Sequence, residues 1–337
     1  MKKNKTIIIA EIGVNHNGKI NLAKKLIDIV KKSGADFVKF QTFKTENLVC
    51  KNTKATQYQN NNLGKKTKQF NLLKKCELSE NDHKKIIQYC KKKKIAFLSS
   101  PFDLESLNLL FRFKIFNIKI ASGEITHFIF LKKLAKKAKK IFISTGMSSL
   151  GEVARAIKIL IKNGAKRKNI TVLHCHTDYP TQLNNVNLLA MKNMESKFNL
   201  NVGYSDHTVG NETAIAAVAL GAKVIEKHIT LNKNMIGPDH KASMEPKDFY
   251  NYVKFIRNTE TLLGNHLKKP SKSELKIRKL IRKSIVAKTN IKKGETFSQS
   301  NTICKRPEGG ISSIYWNKVI GKKSKHDFRV DDFISLK

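Results

Sequence analysis

The chain of 337 residues has few cysteines and no long apolar run, and both absences narrow what it can be. Its cysteines are odd in number and widely spaced, without a Cys-x-x-Cys pair (Cys50, Cys76, Cys90, Cys175 and Cys304). This spacing predicts neither a disulfide framework nor a structural zinc site, and it favours a reducing, cytoplasmic setting. Every apolar run is shorter than the roughly 18 residues of a membrane span. The first one is interrupted by Glu11, so it reads as a strand rather than a signal peptide.

Acidic residues and arginine are also scarce. The chain has 26 Asp and Glu against 66 Lys and Arg, for a net charge of +40, and only 8 of the basic residues are arginine. Nucleic-acid readers favour arginine because its planar group makes bidentate contacts. The lysines are spread along nearly every predicted helix, which is typical of solvated helix faces. We therefore predict no specific nucleic-acid partner, and a polyanion-binding surface is the alternative.

Apolar runs of strand length alternate with longer helical patterns over the first 265 residues. Strands are predicted at 6–12, 35–42, 95–100, 114–122, 139–146 and 169–176, in "FNLNV" leading into Ser205-Asp206-His207, and in "AKVIEKHIT" (222–230). Helices are predicted at 20–33, after Ser79, and at 103–111, 126–138, 150–163, 186–197, 210–220 and 246–264. Ser79 and Asp82 form a candidate capping box, and residues 43–78 read as a polar loop insertion.

Eight strand–helix units of this length predict an α/β fold, a (β/α)8 TIM barrel. An open doubly wound sheet is the alternative, but no Gly-x-Gly-x-x-Gly follows the first strand. The pattern changes after residue 265, where a basic connector leads into short strands and turns ("SIVAKTNIKKGETFS", "TICKRPEGGIS" and "VIGKKSKHDF"). We predict a barrel domain over 1–265, a linker over 266–283 and a small β-rich domain over 284–337.

Polar side chains stand at the carboxyl end of every predicted barrel strand, which is where TIM barrels carry their active sites. They are Glu11; Lys39 and Gln41; Ser99 and Ser100; Lys119, Ser122 and Glu124; Ser144 and Thr145; His174 and His176; Ser205, Asp206 and His207; Glu226 and His228. A purely structural barrel has no need of such groups at one rim, so the pattern predicts an active site there.

His207 and His228 end neighbouring strands and are candidate ligands for one divalent metal, because imidazole is a common transition-metal ligand. Two protein ligands leave room for substrate or water, and Mn²⁺, Mg²⁺, Co²⁺ or Zn²⁺ would serve. His174 and His176 are a rival pair, two residues apart on one strand. For these two we favour a structural reading, with one packed within the barrel and the other facing the rim.

Lys39 and Lys119 interrupt otherwise apolar strands, so each must meet an anion or lose its charge. Hydroxyls are predicted on the same rim at Ser100, Ser122, Ser144 and Ser205, and together these groups suit an oxyanion such as phosphate or carboxylate. The alternative is internal pairing with Glu11, Glu124 or Glu226.

A series of motifs in one order resembles the sialic-acid synthase family: "AEIGVNHNG", "VKFQTFK", "SSPFD", "KIASGE", "STGM", "LHCHTDYP", "GYSDHT", "IEKHIT" and "GPDHKASMEP". The tail, with "SIVAKTNIKKGE" and "KRPEGGIS", is similar to the antifreeze-like (SAF) domain that follows the barrel in that family. "KFQTFK" and "GPDHKAS" are closer to the N,N'-diacetyllegionaminate synthases than to many N-acetylneuraminate synthases. The resemblance implies condensation of phosphoenolpyruvate with an N-acetylmannosamine-type sugar to a nine-carbon 2-keto acid.

The resemblance also implies roles for particular residues. His207 and His228 would hold the metal, Mn²⁺ in the first place with Mg²⁺ or Co²⁺ as alternatives. Phosphoenolpyruvate would meet Lys39, Ser100, Lys119, Ser122, Ser144 and Ser205, and the sugar would meet Glu11, Gln41, Tyr179 and Asp239. Arg306 would reach into the barrel of the partner subunit of a domain-swapped homodimer. His176 stands where the family commonly has a hydroxyl residue, and Ser100 where threonine is usual.

The implied mechanism assigns catalytic roles to three residues. C3 of phosphoenolpyruvate attacks the sugar aldehyde, water adds at C2, and phosphate leaves by C–O cleavage. Glu124 or Glu11 would activate the water, and Lys119 would offset the negative charge. The alternatives are a metal-dependent class II aldolase, a non-catalytic basic polyanion-binding barrel, and an inactive relative.

Overall fold

The computed structural model describes residues 5–63 and 66–337 and divides the chain into two compact units. The first unit ends at Gly264 and the second spans Asn265–Lys337. Within the described residues, no helix is long and apolar enough to cross a membrane.

The first unit is built on a closed barrel of eight strands that run parallel. The strands are β1 (Ile7–Gly13), β2 (Phe37–Thr42), β3 (Ala96–Pro101), β4 (Asn117–Ile120), β5 (Lys140–Ser144), β6 (Ile170–Cys175), β7 (Asn201–Asp206) and β8 (Val224–His228). Pairing of β1 with β8 closes the barrel. The TIM-barrel prediction is therefore confirmed, and the open-sheet alternative is wrong.

Helices surround the strands. They are α1 (Ile20–Ser33), α2 (Thr45–Leu48), α3 (Gln57–Leu63), α4 (Gln69–Cys76), α5 (Glu80–Lys92), α6 (Leu104–Arg112), α7 (Phe128–Ala135), α8 (Leu150–Lys162), α9 (Leu189–Phe198), α10 (Glu212–Ala219) and α11 (Pro246–Leu262). The predicted capping box of α5 is present, since Ser79 accepts from the Asp82 amide and Asp82 accepts from that of Ser79. The predicted strand "FNLNV" began too early, since its first three residues, 198–200, lie outside β7. Helix α9 extends to Phe198, and Asn199 caps that helix in the left-handed region at φ 48°.

The segment at 43–78 is not a plain loop insertion, because α2, α3 and α4 lie within it. These helices are short, and side chains tie the segment together. Glu77 accepts hydrogen bonds from the amide and hydroxyl of Thr45, at 3.0 and 2.8 Å, and forms an ion pair with Lys74 at 3.1 Å. Such contacts between distant residues replace the apolar periodicity that sequence patterns detect.

The barrel interior changes from apolar to ionic along the strand direction. Its lower layer is a cluster of six buried residues from six strands: Ile9, Phe37, Leu98, Phe142, Leu173 and Val224. Because side chains alternate along a strand, the next inward position on each strand lies one layer higher. On β1, β2 and β8 this next inward position carries Glu11, Lys39 and Glu226. The alternation of strand side chains therefore brings these charged residues into one layer.

The second unit contains α12 (Lys272–Ile281), the antiparallel strands β9 (Ser284–Ala287) and β10 (Thr302–Lys305), and α13 (Trp316–Val319). Its own core is formed by Ile285, Ala287, Ile291, Phe297, Val319, Phe328 and Ile334. Two expectations need correction. The connector is helical over α12, where Ser271 and Glu274 form a capping box. The segment "VIGKKSKHDF" forms no continuous strand, and its β-pairing consists of isolated bridges such as Ile291 with Phe328.

Candidate active site

Four buried ionisable side chains meet in the upper barrel, from β1, β2, β4 and β8. The Nζ of Lys39 lies 3.0 Å from Glu11 Oε2 and 3.5 Å from Glu226 Oε1. The Nζ of Lys119 lies 3.1 Å from the same Glu226 Oε1. We call Glu11, Lys39, Lys119 and Glu226 the ionic cluster. Both lysines thus have internal carboxylate partners, as the pairing alternative predicted for Glu11 and Glu226.

Three more predicted rim residues are hydrogen-bonded to the ionic cluster. Lys39 donates to Ser100 Oγ at 3.2 Å, Ser205 donates to Glu226 Oε1 at 3.0 Å, and Gln41 donates to Glu11 Oε1 at 3.1 Å. Glu226, a strand-end residue to which the sequence patterns assigned no catalytic or binding role, is the centre of this network.

The pKa values within the ionic cluster follow from burial and from the shared carboxylate. Burial alone would raise the pKa of Glu226, but Lys119 and Lys39 outweigh it and hold this pKa at about 2. Burial raises the pKa of Glu11, and Lys39 opposes that effect only in part. Burial lowers the pKa of Lys119, whereas Glu11 and Glu226 raise that of Lys39 against the effect of burial. Glu226 is therefore firmly ionised and shared by both lysines, whereas burial disfavours the charge on Glu11, so the ionic cluster can accept a further anion.

A second polar group lies at the ends of β4, β5 and β6. Ser122 Oγ accepts from the Gly146 amide at 3.0 Å and lies 3.3 Å from Cys175 Sγ. A Cβ on Gly146 would come within 2.8 Å of Ser122 Oγ, so glycine is needed for this close approach. The Ser144 hydroxyl is buried and finds no hydrogen-bond partner in the described part of the chain, so it has a free donor and acceptor for a ligand oxygen.

His207, His228 and Tyr179 form an aromatic group beside the ionic cluster. The ring centroids of the two histidines are 5.5 Å apart, and Tyr179 lies 4.1 Å from His207 and 5.7 Å from His228. Glu11 of the ionic cluster is the register partner of His228 in the pairing of β1 with β8. The structure thus places both predicted metal ligands at the same rim as the predicted anion site.

The two imidazoles fit a divalent metal. The Nδ1–H of His207 donates to the backbone carbonyl of His176, which leaves Nε2 as its ligand atom. The buried Nδ1 of His228 has no hydrogen-bond partner among residues 5–63 and 66–337. Burial lowers the pKa of His207 to about 4 and that of His228 well below its usual value, so both rings are neutral, as metal ligation requires. Over the same described ranges, no group of three or more His, Cys, Asp or Glu is placed to hold a metal.

The rival pair has a different position from the one predicted. On β6, Leu173 belongs to the interior layer, so Cys175 faces the barrel interior while His174 and His176 face outward. The His174 Nε2–H donates to the Val186 carbonyl at 2.8 Å, and its ring packs on Tyr204. Neither histidine is packed within the barrel, and the predicted division between them was wrong because both lie on the same outer strand face.

Asp239 is buried, and burial together with Glu11 raises its pKa to about 7. Nearby, α3 places Tyr58 against Tyr179, with ring centroids 5.2 Å apart. Tyr58 lies in the excursion interpreted as a loop, and the sequence offered no signal that it would reach the site.

Two predicted site residues lie outside these groups. Glu124 is half-buried in the turn after β4 and hydrogen-bonds His127 Nδ1 at 2.8 Å, and burial raises its pKa. Arg306 is exposed on the second unit.

The pH dependence of stability tests the surroundings of Asp239. Its raised pKa means that the folded protein binds this proton more tightly than the unfolded chain does. The stabilisation is present below the ordinary value of 3.8 and is lost as pH rises through about 7. We expect the free energy of unfolding of the wild-type protein to fall by as much as about 4 kcal/mol between pH 4 and pH 8 from this group, and Asp239→Asn to lack that fall. The measurement is urea unfolding of both proteins across that range. Parallel pH profiles for the two proteins would contradict this expectation.

Comparison with known proteins gives matches along nearly the whole chain. Residues 26–268 match the NeuB family and residues 282–337 match the SAF domain. The chain is 52% identical to an N,N'-diacetyllegionaminic acid synthase of Campylobacter jejuni, over 98% of this chain and 99% of that protein. It is 43% identical to the Legionella pneumophila protein of the same name, over 94% and 89% of the two chains. A crystal structure of an N-acetylneuraminic acid (sialic acid) synthetase from Leptospira borgpetersenii superposes with a TM-score of 0.71 at 31% identity, covering 82% of this chain and 90% of that one.

Proposed function

Because the chain belongs to the NeuB family, we propose that it makes N,N'-diacetyllegionaminic acid. It is an enzyme that condenses phosphoenolpyruvate with an amino sugar to a nine-carbon sugar acid and releases phosphate. The choice of sugar is our inference. It rests on identities of 52% and 43% to proteins named for this product, against 31% to one named for N-acetylneuraminic acid.

The observation that carries the assignment is the ionic cluster beside the two histidines. Phosphoenolpyruvate has a phosphate and a carboxylate on three carbons, and few buried sites could offset that charge. Lys39 and Lys119 supply two cations. Ser100 and Ser205, both hydrogen-bonded to the cluster, and Ser122 and Ser144, in the polar group at the ends of β4 and β5, supply hydroxyls. On binding, we infer that the substrate takes over part of the pairing that Glu226 provides.

His207 and His228 would hold the divalent metal, with Mn²⁺ as our first choice and Mg²⁺ or Co²⁺ as alternatives. When bound there, such an ion supplies Lewis-acid activation and orientation of the sugar aldehyde. The Tyr179 ring packs against both imidazoles.

The reaction forms a bond between C3 of phosphoenolpyruvate and the aldehyde carbon, adds water at C2 and breaks the C2–O bond to phosphate. We assign the proton from the attacking water to Glu11, because burial raises its pKa, which makes it a stronger base, and it lies within the ionic cluster. Glu124, the other candidate, is hydrogen-bonded to His127. Lys119 offsets the charge that leaves with phosphate.

Gln41 and Asp239 are our candidates for holding the sugar, since Gln41 is hydrogen-bonded to Glu11 and the charge of Glu11 acts on Asp239. Tyr179 is a third candidate, since it packs against both histidines. The class II aldolase alternative accounts for the histidines but for neither the paired lysines nor the SAF domain. We place the reaction in the cytoplasm, where phosphoenolpyruvate is made.

A comparison of two sugars tests the proposed product. We expect kcat/KM for 2,4-diacetamido-2,4,6-trideoxymannose to exceed that for N-acetylmannosamine by at least about 10-fold, measured as phosphate release with phosphoenolpyruvate and Mn²⁺. A preference for N-acetylmannosamine would overturn the specific product but not the synthase activity.

We also propose a homodimer in which the small domain of one chain covers the barrel of its partner. Large apolar side chains are exposed in the segments that follow the four consecutive strands β5 to β8. They are Met147, Leu183, Leu189 at the start of α9, Val209 and Ile236, each between 66% and 79% exposed. The second unit exposes apolar residues of its own, Leu275, Ile277, Leu280 and Ile281 on α12. Apolar surfaces of this kind are typical of interfaces.

We retain the domain limits 1–265, 266–283 and 284–337, with the SAF match beginning at residue 282.

Mixing two inactive variants tests the exchange of domains. His228→Ala disables the barrel and Arg306→Ala disables the contribution of the small domain. In a domain-swapped heterodimer, the intact barrel of the Arg306→Ala chain receives Arg306 from the His228→Ala chain. Co-refolding equal amounts should therefore restore about a quarter of wild-type turnover, since half of the dimers are mixed and each has one complete site. No recovery, with mixed dimers demonstrated by differential tags, would contradict the swapped arrangement.

A further inference from the structure

A second buried ionic group lies directly behind the histidines, on the outer face of the same two strands. Asp206 on β7 and Lys227 on β8 are register partners, and Lys227 Nζ lies 2.9 Å from Asp206 Oδ2. Their side chains are 0% and 1% exposed. The Tyr252 hydroxyl, on α11, donates to the same Oδ2 at 2.8 Å, and Lys227 lies over its ring. Neither charge faces the barrel interior, so neither can meet substrate there.

Stability alone does not account for this pair. Removing two charges from water costs about as much as their attraction returns, so well-packed apolar side chains would stabilise the protein equally well or better. Buried ion pairs do, however, impose one arrangement on the groups they join, because each donor and acceptor has a required direction. The question is which groups this pair fixes.

Its hydrogen bonds join the residues on both sides of His207. Asp206 precedes His207 in the chain, and its Oδ1 accepts from the Thr208 amide at 2.9 Å and from the Thr208 hydroxyl at 2.7 Å. Lys227 donates to the Thr208 carbonyl as well as to Asp206. The residues on either side of His207 are therefore both bound to Lys227, which itself precedes His228.

We propose that Asp206 and Lys227, supported by Tyr252, are positioning residues that fix His207 and His228 relative to each other for a divalent cation. The alternation of strand side chains makes this possible, because Asp206 and Lys227 face outward while the imidazoles face inward from the adjacent positions. The inference rests on the metal site of the proposed function. It assigns a role to groups that touch neither substrate nor metal and that no step of the reaction uses.

The test replaces the pair by neutral side chains of nearly the same shape, Asp206→Asn with Lys227→Met. The asparagine keeps an acceptor for Thr208, and the methionine leaves no unpaired charge. We expect the Kd for Mn²⁺, measured by isothermal titration on the full chain, to rise about 10- to 100-fold. The urea midpoint should stay close to that of wild type, because the neutral pair packs as well as the ionic one. A pair that only supports the fold would give the opposite result, a lower midpoint with unchanged Mn²⁺ affinity.

A matched control is the Asp36–Arg257 ion pair, joined at 2.8 Å at the other end of the barrel, where Asp36 precedes β2. Asp36→Asn with Arg257→Met should leave the Kd for Mn²⁺ within about two-fold of wild type. Tyr252→Phe is a milder variant that removes one hydrogen bond from Asp206, and it should raise the Kd several-fold even if the double variant folds poorly.

An unchanged Kd in the double variant or in Tyr252→Phe would overturn the positioning role, as would an equal rise in the Asp36 control. Turnover of the wild-type chain is measured in parallel. A wild-type chain that binds Mn²⁺ without synthase activity would contradict the proposed function, while the Kd comparison would still decide the positioning role.

Discussion

Replacing Lys119 with methionine is expected to lower kcat/KM for phosphoenolpyruvate about 100- to 1,000-fold, the range typical for loss of one charged or oxyanion-stabilising group in a buried site. Lys119 is 3% exposed and shares Glu226 with Lys39, so methionine fills the same space and removes one of the two cations. The remaining lysine is then neutralised by Glu226 and Glu11. The cation that Lys119 offers to an anionic substrate is thereby lost.

The measurement is steady-state phosphate release with phosphoenolpyruvate varied at saturating sugar. Lys140→Met is a matched control, because Lys140 is an exposed lysine at the start of a barrel strand. We expect the control to behave like wild type. A Lys119→Met enzyme with normal kcat and KM would show that the buried lysine does not contact the substrate.

Replacing Glu226 with glutamine is expected to have the largest effect on stability, a loss of about 3–5 kcal/mol in the free energy of unfolding. Glutamine has the same shape but no charge, so Lys119 loses its carboxylate and Lys39 keeps only that of Glu11. Uncompensated buried ammonium groups are the costly outcome when one partner of a buried pair is removed.

An anion should restore part of that stability. Because the Glu226→Gln variant has more uncompensated positive charge, phosphoenolpyruvate should raise its melting temperature by more than it raises that of wild type. The double variant Glu226→Gln with Lys119→Met is the control, since it removes one charge of each sign and should recover most of the stability. If phosphoenolpyruvate stabilised Glu226→Gln no more than wild type, the ionic cluster would not be the anion site.

The fold was predictable where periodicity is strong. Eight apolar runs of strand length, each followed by a helical pattern, predicted the barrel, and polar residues at the run ends predicted which rim carries the chemistry. Helix α1 ends at Ser33 with Gly34 as its left-handed cap, at the residue where its apolar pattern stops.

The helices that escaped prediction are held by other means. Helices α2, α3 and α4 have four to eight residues each, too few to show a periodic apolar face, and contacts such as Glu77 with Thr45 hold their segment together. The signal for α12 was present, because Ser271 and Glu274 have the spacing of a capping box. The high lysine content of the segment favoured a connector instead.

The candidate site was predictable as a set of residues but not as a network. Sequence order shows that Lys39, Lys119 and Glu226 end strands, yet only the closed barrel brings β2, β4 and β8 together around one carboxylate oxygen. Likewise, Asp206 was predicted at the rim and Lys227 had no predicted role, and only the strand register brings the two together on the outer face. Tyr58 reaches Tyr179 through tertiary packing of a segment without an apolar pattern.

The most direct test of the synthase assignment is phosphate release from phosphoenolpyruvate by the purified full chain. It is measured with and without 2,4-diacetamido-2,4,6-trideoxymannose, in Mn²⁺ and in EDTA, beside the His228→Ala variant. We predict release that requires the sugar, falls below about 1% in EDTA or in His228→Ala, and yields a nine-carbon acid by mass spectrometry. Release that is independent of the sugar, release that survives the loss of His228, or no release by folded protein loaded with Mn²⁺ would each contradict it.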